Sequence, residues 1–222
     1  SSSAGAYPIQ EVESSEQDKW LYSLEASVTW QQSNTNKLRA ALGYFAFDNL
    51  AGEKNGLDSK LTDYTAPKNM QRGNSVFNIR NSSVPSSADE LFGLASDFNN
   101  LDLTLSYDVP VSHGRHLIVT ADYVTNLGYD SDRVASFMKD AAYAEQTDGY
   151  KLDVLWGVPK AFKRGEWNVN IAYRHLERDA VLDAFTDSDF LLGGTDNKGY
   201  VLSGEYSVLD NTNIKLSFLS AS

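Results

Sequence analysis

Cysteine is absent from the 222 residues. That excludes a disulfide framework, a thiolate zinc site and a cysteine nucleophile. No stretch approaches the ~20 consecutive apolar residues of a membrane-spanning helix. An apolar signal segment is also missing at the start, where Ser1-Ser2-Ser3-Ala4-Gly5 leads into polar sequence, a beginning that a processed secreted chain shares. Basic residues are in short supply, with 19 Lys+Arg against 30 Asp+Glu and a net charge of -11. Such a chain repels phosphates and is no nucleic-acid binder. Disorder is excluded from the other direction, because aromatic residues make up 12%, too many for a chain that never packs.

What the chain has is alternation. Trp20, Tyr22, Leu24, Ala26, Val28 and Trp30 are interleaved with Leu21, Ser23, Glu25, Ser27, Thr29 and Gln31. Successive strand side chains point to opposite faces, so this segment has one apolar and one polar face. The pattern recurs over residues 38–46, 101–109, 117–123, 150–158, 167–173, 200–208 and 214–218. About eight strands of roughly ten residues are predicted, with weaker segments at 75–80 and 91–98. Aromatic side chains gather towards the strand ends and form a candidate girdle: Trp20, Tyr22, Trp30, Tyr107, Tyr123, Tyr150, Trp156, Trp167, Tyr173, Tyr200 and Tyr206. Tilted strands of ~9–11 residues with end aromatics suit a transmembrane barrel. A soluble antiparallel barrel or sandwich also alternates, but with strands nearer ~5–6 residues.

The connections favour the membrane. Short ones at 33–36, 112–115, 160–166 and 210–211 carry Gly, Asn, Asp or Ser suited to turns. They alternate with long ones at 48–97, 126–147 and 177–197, as the periplasmic turns and extracellular loops of outer-membrane barrels do. The fold class expected is therefore all-β, an antiparallel transmembrane β-barrel, with residues 1–222 as one segment and 1–19 as a lead-in on the extracellular side. Both chain ends then fall on the long-loop side, and Leu219-Ser220-Ala221-Ser222 lacks a terminal aromatic. Open sheet edges cannot face lipid, so the expectation is an internal piece of a larger barrel rather than a closed eight-stranded pore.

The polar parity supplies candidate pore-lining residues: the acids Glu25, Asp102, Asp108, Asp122, Asp153 and Glu205 against the bases Arg39, Lys151, Arg174 and Lys215. Charged rings tune ion selectivity, and this balance mildly favours cations. The plainer reading pairs these charges across neighbouring strands, where they merely hydrate the interior. Asp183, Asp187 and Asp189, with Asp179 and Asp196 nearby, form a weak calcium candidate without the glycine or closing glutamate of an EF-hand loop. His113 and His116 flank a turn and His175 ends a strand, with no triad or zincin pattern around them. Residues 134–143 suit a short loop helix packed against the barrel mouth.

Several stretches resemble a known family. Ala6-Tyr7-Pro8-Ile9-Gln10-Glu11-Val12-Glu13 and Asp18-Lys19-Trp20-Leu21-Tyr22 are similar to the bacterial "Putative porin" family of Gram-negative outer membranes. So are residues 173–190, from Tyr173-Arg174-His175 to Asp187-Ser188-Asp189-Phe190, and Gly193-Gly194-Thr195-Asp196-Asn197-Lys198-Gly199-Tyr200. The resemblance implies a larger barrel of roughly 16 strands, this chain being its C-terminal half without the last segment. It supplies architecture and a generic transport role, and no catalytic residue.

The leading expectation is thus a passive water-filled channel in the Gram-negative outer membrane, not an enzyme and without cofactor. Its partners would be outer-membrane lipid and small hydrophilic solutes or ions, and it is compatible with a homo-oligomer. Two other readings compete: an interaction barrel with a plugged lumen and partner-binding loops, and a soluble carbohydrate-binding β-sandwich.

Overall fold

A computed structural model describes residues 1–12, 17–32 and 35–222. The strands are β1 (Ser2–Gln10), β2 (Lys19–Gln32), β3 (Asn36–Asp48), β4 (Val76–Asn78), β5 (Phe92–Leu94), β6 (Asn99–Pro110), β7 (His116–Asn126), β8 (Asp148–Gly157), β9 (Trp167–Leu176), β10 (Asn197–Leu209) and β11 (Thr212–Ala221). Nine of them form one antiparallel sheet in the order β1-β2-β3-β6-β7-β8-β9-β10-β11, and β4 and β5 pair apart. β1 and β11 are its edges and do not pair with each other. Among the described residues no helix is long and apolar enough to cross a membrane.

The all-β antiparallel expectation holds, and each alternating segment is a strand of the large sheet. The sheet is open, so a closed barrel is not formed by this chain. One correction concerns the N-terminus, which alternation assigned to a lead-in. Residues 2–10 are a strand, antiparallel to β2 from Ser2↔Ala26 to Gln10↔Lys19. Ser1 therefore lies halfway along β2, bonded to Ser27, and not on the long-loop side. The segment escaped notice because Ala4, Ala6 and Pro8, which share a face with Leu24, Tyr22 and Trp20, present no bulky apolar stripe. Proline is tolerated there because β1 is an edge. Ser33 and Asn34 of the expected turn before β3, and Glu13, lie outside the described residues.

The short connections behave as their residues dictate. His113 and Gly114 both take positive φ (53° and 73°) between Val111 and Arg115, whose backbones are bonded at 2.8 Å. That is the primed turn whose twist matches two flanking strands. The long connections instead fold on each other. The weak segments of the first become β4 and β5. The second contains helix α1 (Ser131–Met138), capped by Asp130 accepting from the Arg133 N–H. Val134 of α1 packs with Phe77, Ile79 and Ala95, and Phe137 stacks on Phe77. Leu50, Leu94, Phe98 and Leu182 form a second cluster that ties the first loop to the third. Nearly all large buried apolar side chains of the described residues lie in these loops, not between sheet faces.

Candidate functional site

The register resolves the two faces of the sheet. Leu103, Tyr123, Tyr150 and His175 stand in one row of directly paired residues, and Tyr107, Val119, Val154, Ile171, Leu202 and Phe218 in another. This face is unpartnered: Leu24 is 60% exposed, Phe218 67% and Leu216 75%. A contiguous patch of this extent is far larger than a soluble monomer leaves bare. Its aromatics sort into two bands. Tyr150, Tyr173 and Tyr200 run as a ladder at 6.0 and 4.7 Å, with His175 stacked on Tyr150 at 5.2 Å. Towards the short turns, Trp156 meets Trp167 edge to face at 5.3 Å. Trp20 and Tyr22 stack on each other at the long-loop end, and Trp30, Tyr107 and Tyr206 occupy the same apolar parity lower down. Tyr44, paired with Leu24 and Leu101, joins the upper band although the girdle assignment omitted it.

All ten candidate lining residues share the opposite face. Asp122, Lys151 and Arg174 are directly paired neighbours on β7, β8 and β9. Glu25 and Asp102 flank Gly43 one pair nearer the long loops. Arg39 and Asp153 lie one pair farther down, in line through Ser106 and Thr120. Glu205 and Lys215 face each other near the short turns. Across strands, the charges are met more by amides and a histidine than by opposite charges. Asp153 accepts from Asn170 at 2.6 Å. Glu205 accepts from Asn168 and Asn213, and Asp108 lies 2.6 Å from His116 Nδ1. Lys151 has a loose partner in Asp153 at 3.8 Å. Strand alternation assigns faces but not pairings: it puts Asn168 and Asn170 on the polar parity without showing that they, with Asn213, meet the carboxylates. Lys37, opposite Asp108, was also missed, although its parity places it on this face.

The third long loop leans over the polar face. Asn100 of β6 donates to the Ala180 carbonyl at 2.6 Å, and Asn126 of β7 to that of Asp179 at 3.0 Å. Arg174 lies 4.7 Å from the Phe190 ring, with the Gly194 carbonyl at 3.5 Å. Phe185 meets Phe47 edge to face at 5.6 Å. The first loop grips the same segment. Asn74 donates to the Arg178 and Val181 carbonyls and accepts from the Asp183 N–H at 2.7 Å. Asp179 accepts from the Ser75 N–H and hydroxyl at 2.8 and 2.6 Å, and Asp183 from the Gln71 N–H at 2.9 Å. Burial pushes both carboxyls above the usual carboxylate range, against the downward pull of these hydrogen bonds.

Asp183 is thus buried in the loop clamp, while Asp187 accepts from the Asp189 N–H. No three metal-ligating side chains come together among the described residues. Of the histidines, only His116 joins the polar face, through Asp108.

No curated protein and no solved structure matches the chain. One face of the sheet is apolar and bare, the other charged and overhung by a loop. A family model described as "Putative porin" matches residues 2–222, and the chain belongs to that porin family.

Proposed function

We propose that this sheet is part of the wall of an outer-membrane pore. The apolar face meets lipid and the polar face lines a water-filled channel for small hydrophilic solutes and ions. The long loops face outward and the short turns the periplasm. Further strands beyond β1 and β11 complete the wall, since unpaired backbone groups facing lipid cost several kcal/mol each. The observation that carries the reading is the segregation of two full faces along long strands, one with aromatic bands at both ends. With Lys37 counted, six acids meet five bases on this face, a slight excess that supports a mild cation preference in a channel whose low-dielectric walls focus the field. We assign no catalytic role.

The test is reconstitution in a planar bilayer. The proposal expects conductance and a reversal potential that favours cations. It expects less preference in a variant with Asp102, Asp122 and Asp153 changed to Asn. The third loop over the polar face favours one second reading, an outer-membrane barrel whose lumen is closed and whose loops bind partners. Absent conductance from a correctly inserted protein would select it.

A further inference from the structure

The third loop does not fill the space beneath it. A niche of about 480 Å³ remains between it and the sheet, the size of a small-molecule pocket rather than a packing defect. One wall is aromatic: Phe45 and Phe47 of β3, with Phe185 of the loop. The face is mixed here, since Val124 and Leu176 share it with the charges, and the phenylalanines add rings. Phe47 has a structural duty, since it packs against the cluster of Leu50, Leu94, Phe98 and Leu182. Phe45 is not part of that cluster, and Phe185 remains 58% exposed. Phe45 lies over Gly43 and Phe185 against Phe47, and both rings line the niche.

The floor carries charge in a fixed order. Asp102, Asp122, Lys151 and Arg174 come from four consecutive strands of the sheet and all line the niche. Neighbouring strands stand ~4.8 Å apart. Asp102 and Asp122 give the floor a negative end beside the aromatic wall, and Lys151 and Arg174 a positive end across from it, where Asp187 of the loop also lines the niche and offsets part of that charge. Arg174 is pre-positioned by Phe190 and the Gly194 carbonyl.

We propose that this niche binds an aromatic zwitterion the size of an amino acid or a dipeptide. Its ring rests on Phe45 and Phe185, its ammonium group on Asp102 and Asp122, and its carboxylate on Lys151 and Arg174. A purely cationic or anionic solute satisfies one end of the floor and leaves the other uncompensated, and a small aliphatic zwitterion forgoes the rings. The inference rests on the pore reading for access from outside, and on the niche alone for binding.

The experiment is a calorimetric titration of the detergent-solubilised full chain with L-phenylalanine, L-alanine, phenylacetate and phenethylamine. L-Phenylalanine should bind about tenfold tighter than each of the other three. Phe45→Ala with Phe185→Ala, and separately Asp122→Asn with Lys151→Gln, should each bring it to the level of L-alanine. Phe45→Leu keeps apolar volume without a ring. It should weaken L-phenylalanine by about threefold while protease protection of the third loop is unchanged. Equal binding of all four probes, or a preference for phenylacetate or phenethylamine, overturns the proposal. Conductance of the same preparation without solute separates the two claims. A conducting protein blind to L-phenylalanine loses the niche and keeps the pore. A silent protein that still prefers L-phenylalanine keeps the niche and loses the pore.

Discussion

In the nine-stranded sheet Leu24, Leu202 and Phe218 stand bare, whereas Ile79, Leu94, Phe98 and Val134 of the loops are sealed from solvent. The wall and the loop assembly thus handle apolar side chains in opposite ways. The loops form a small packed structure, with two apolar clusters, a capped helix and a β-ribbon of their own. The wall has no interior. Its backbone groups are satisfied strand to strand, and one full face of apolar side chains has no partner within the chain. The loops gain their stability from close packing; in the proposed pore the wall gains it from a surrounding that is itself apolar. The two are fastened together by polar contacts, among them Asn100 and Asn126 to the third loop and the buried Lys19 of β2, which donates to the Thr65 and Ala66 carbonyls.

That contrast breaks most sharply at Phe98. Phe98→Ala empties a fully buried site of the loop core and should cost that assembly about 3–5 kcal/mol. Hydrogen exchange should rise in residues 50–98 and 177–196, while the strands at β8 and β9 stay protected. Val154→Arg probes the other side. If Val154 lies near the membrane midplane, the charge should cost ~2–4 kcal/mol, read as a lower unfolding midpoint in lipid vesicles. Loop protection should not change in proportion.

Asn74→Ala removes four hydrogen bonds between the first and third loops. Leaving the buried Asp183 N–H unsatisfied should cost about 1–3 kcal/mol, and limited proteolysis should then cut within 177–196 first. The smallest effect is in pH. Asp179 and Asp183 have folded pKa values raised by burial, so the folded loops hold those protons more tightly than the unfolded chain. Their contribution is full below the unfolded value of ~3.9 and is lost as pH rises through the raised folded values. Loop protection should therefore increase on mild acidification from neutral pH. Asp179→Asn with Asp183→Asn should flatten that trend.

The wall was legible in the sequence because a period of two writes itself into every strand that has one apolar and one polar face. The aromatic bands and the ten charged positions followed from parity alone. β1 was not legible, because small residues and Pro8 carry no such period. The loop assembly was legible only in its pieces, the weak strands that become β4 and β5 and the helix of the second loop: its ties join residues as distant as Asn74 and Asp183, and no local pattern signals a contact of that span. The aromatic niche was hidden for a different reason. Phe45 and Phe47 follow Ala41 and Gly43 on the polar parity of β3, and reading the face as uniformly polar conceals a change of character near its long-loop end.

The account stands or falls on what each face of the wall touches. Spin labels placed singly at Thr104, Leu105, Asp153 and Val154 in the reconstituted full chain would report it, by their accessibility to oxygen dissolved in lipid and to a water-soluble nickel chelate. The prediction is strict alternation, with Leu105 and Val154 reached by oxygen and Thr104 and Asp153 by the chelate. Equal access of the chelate to all four positions would contradict the account and return the sheet to water on both faces.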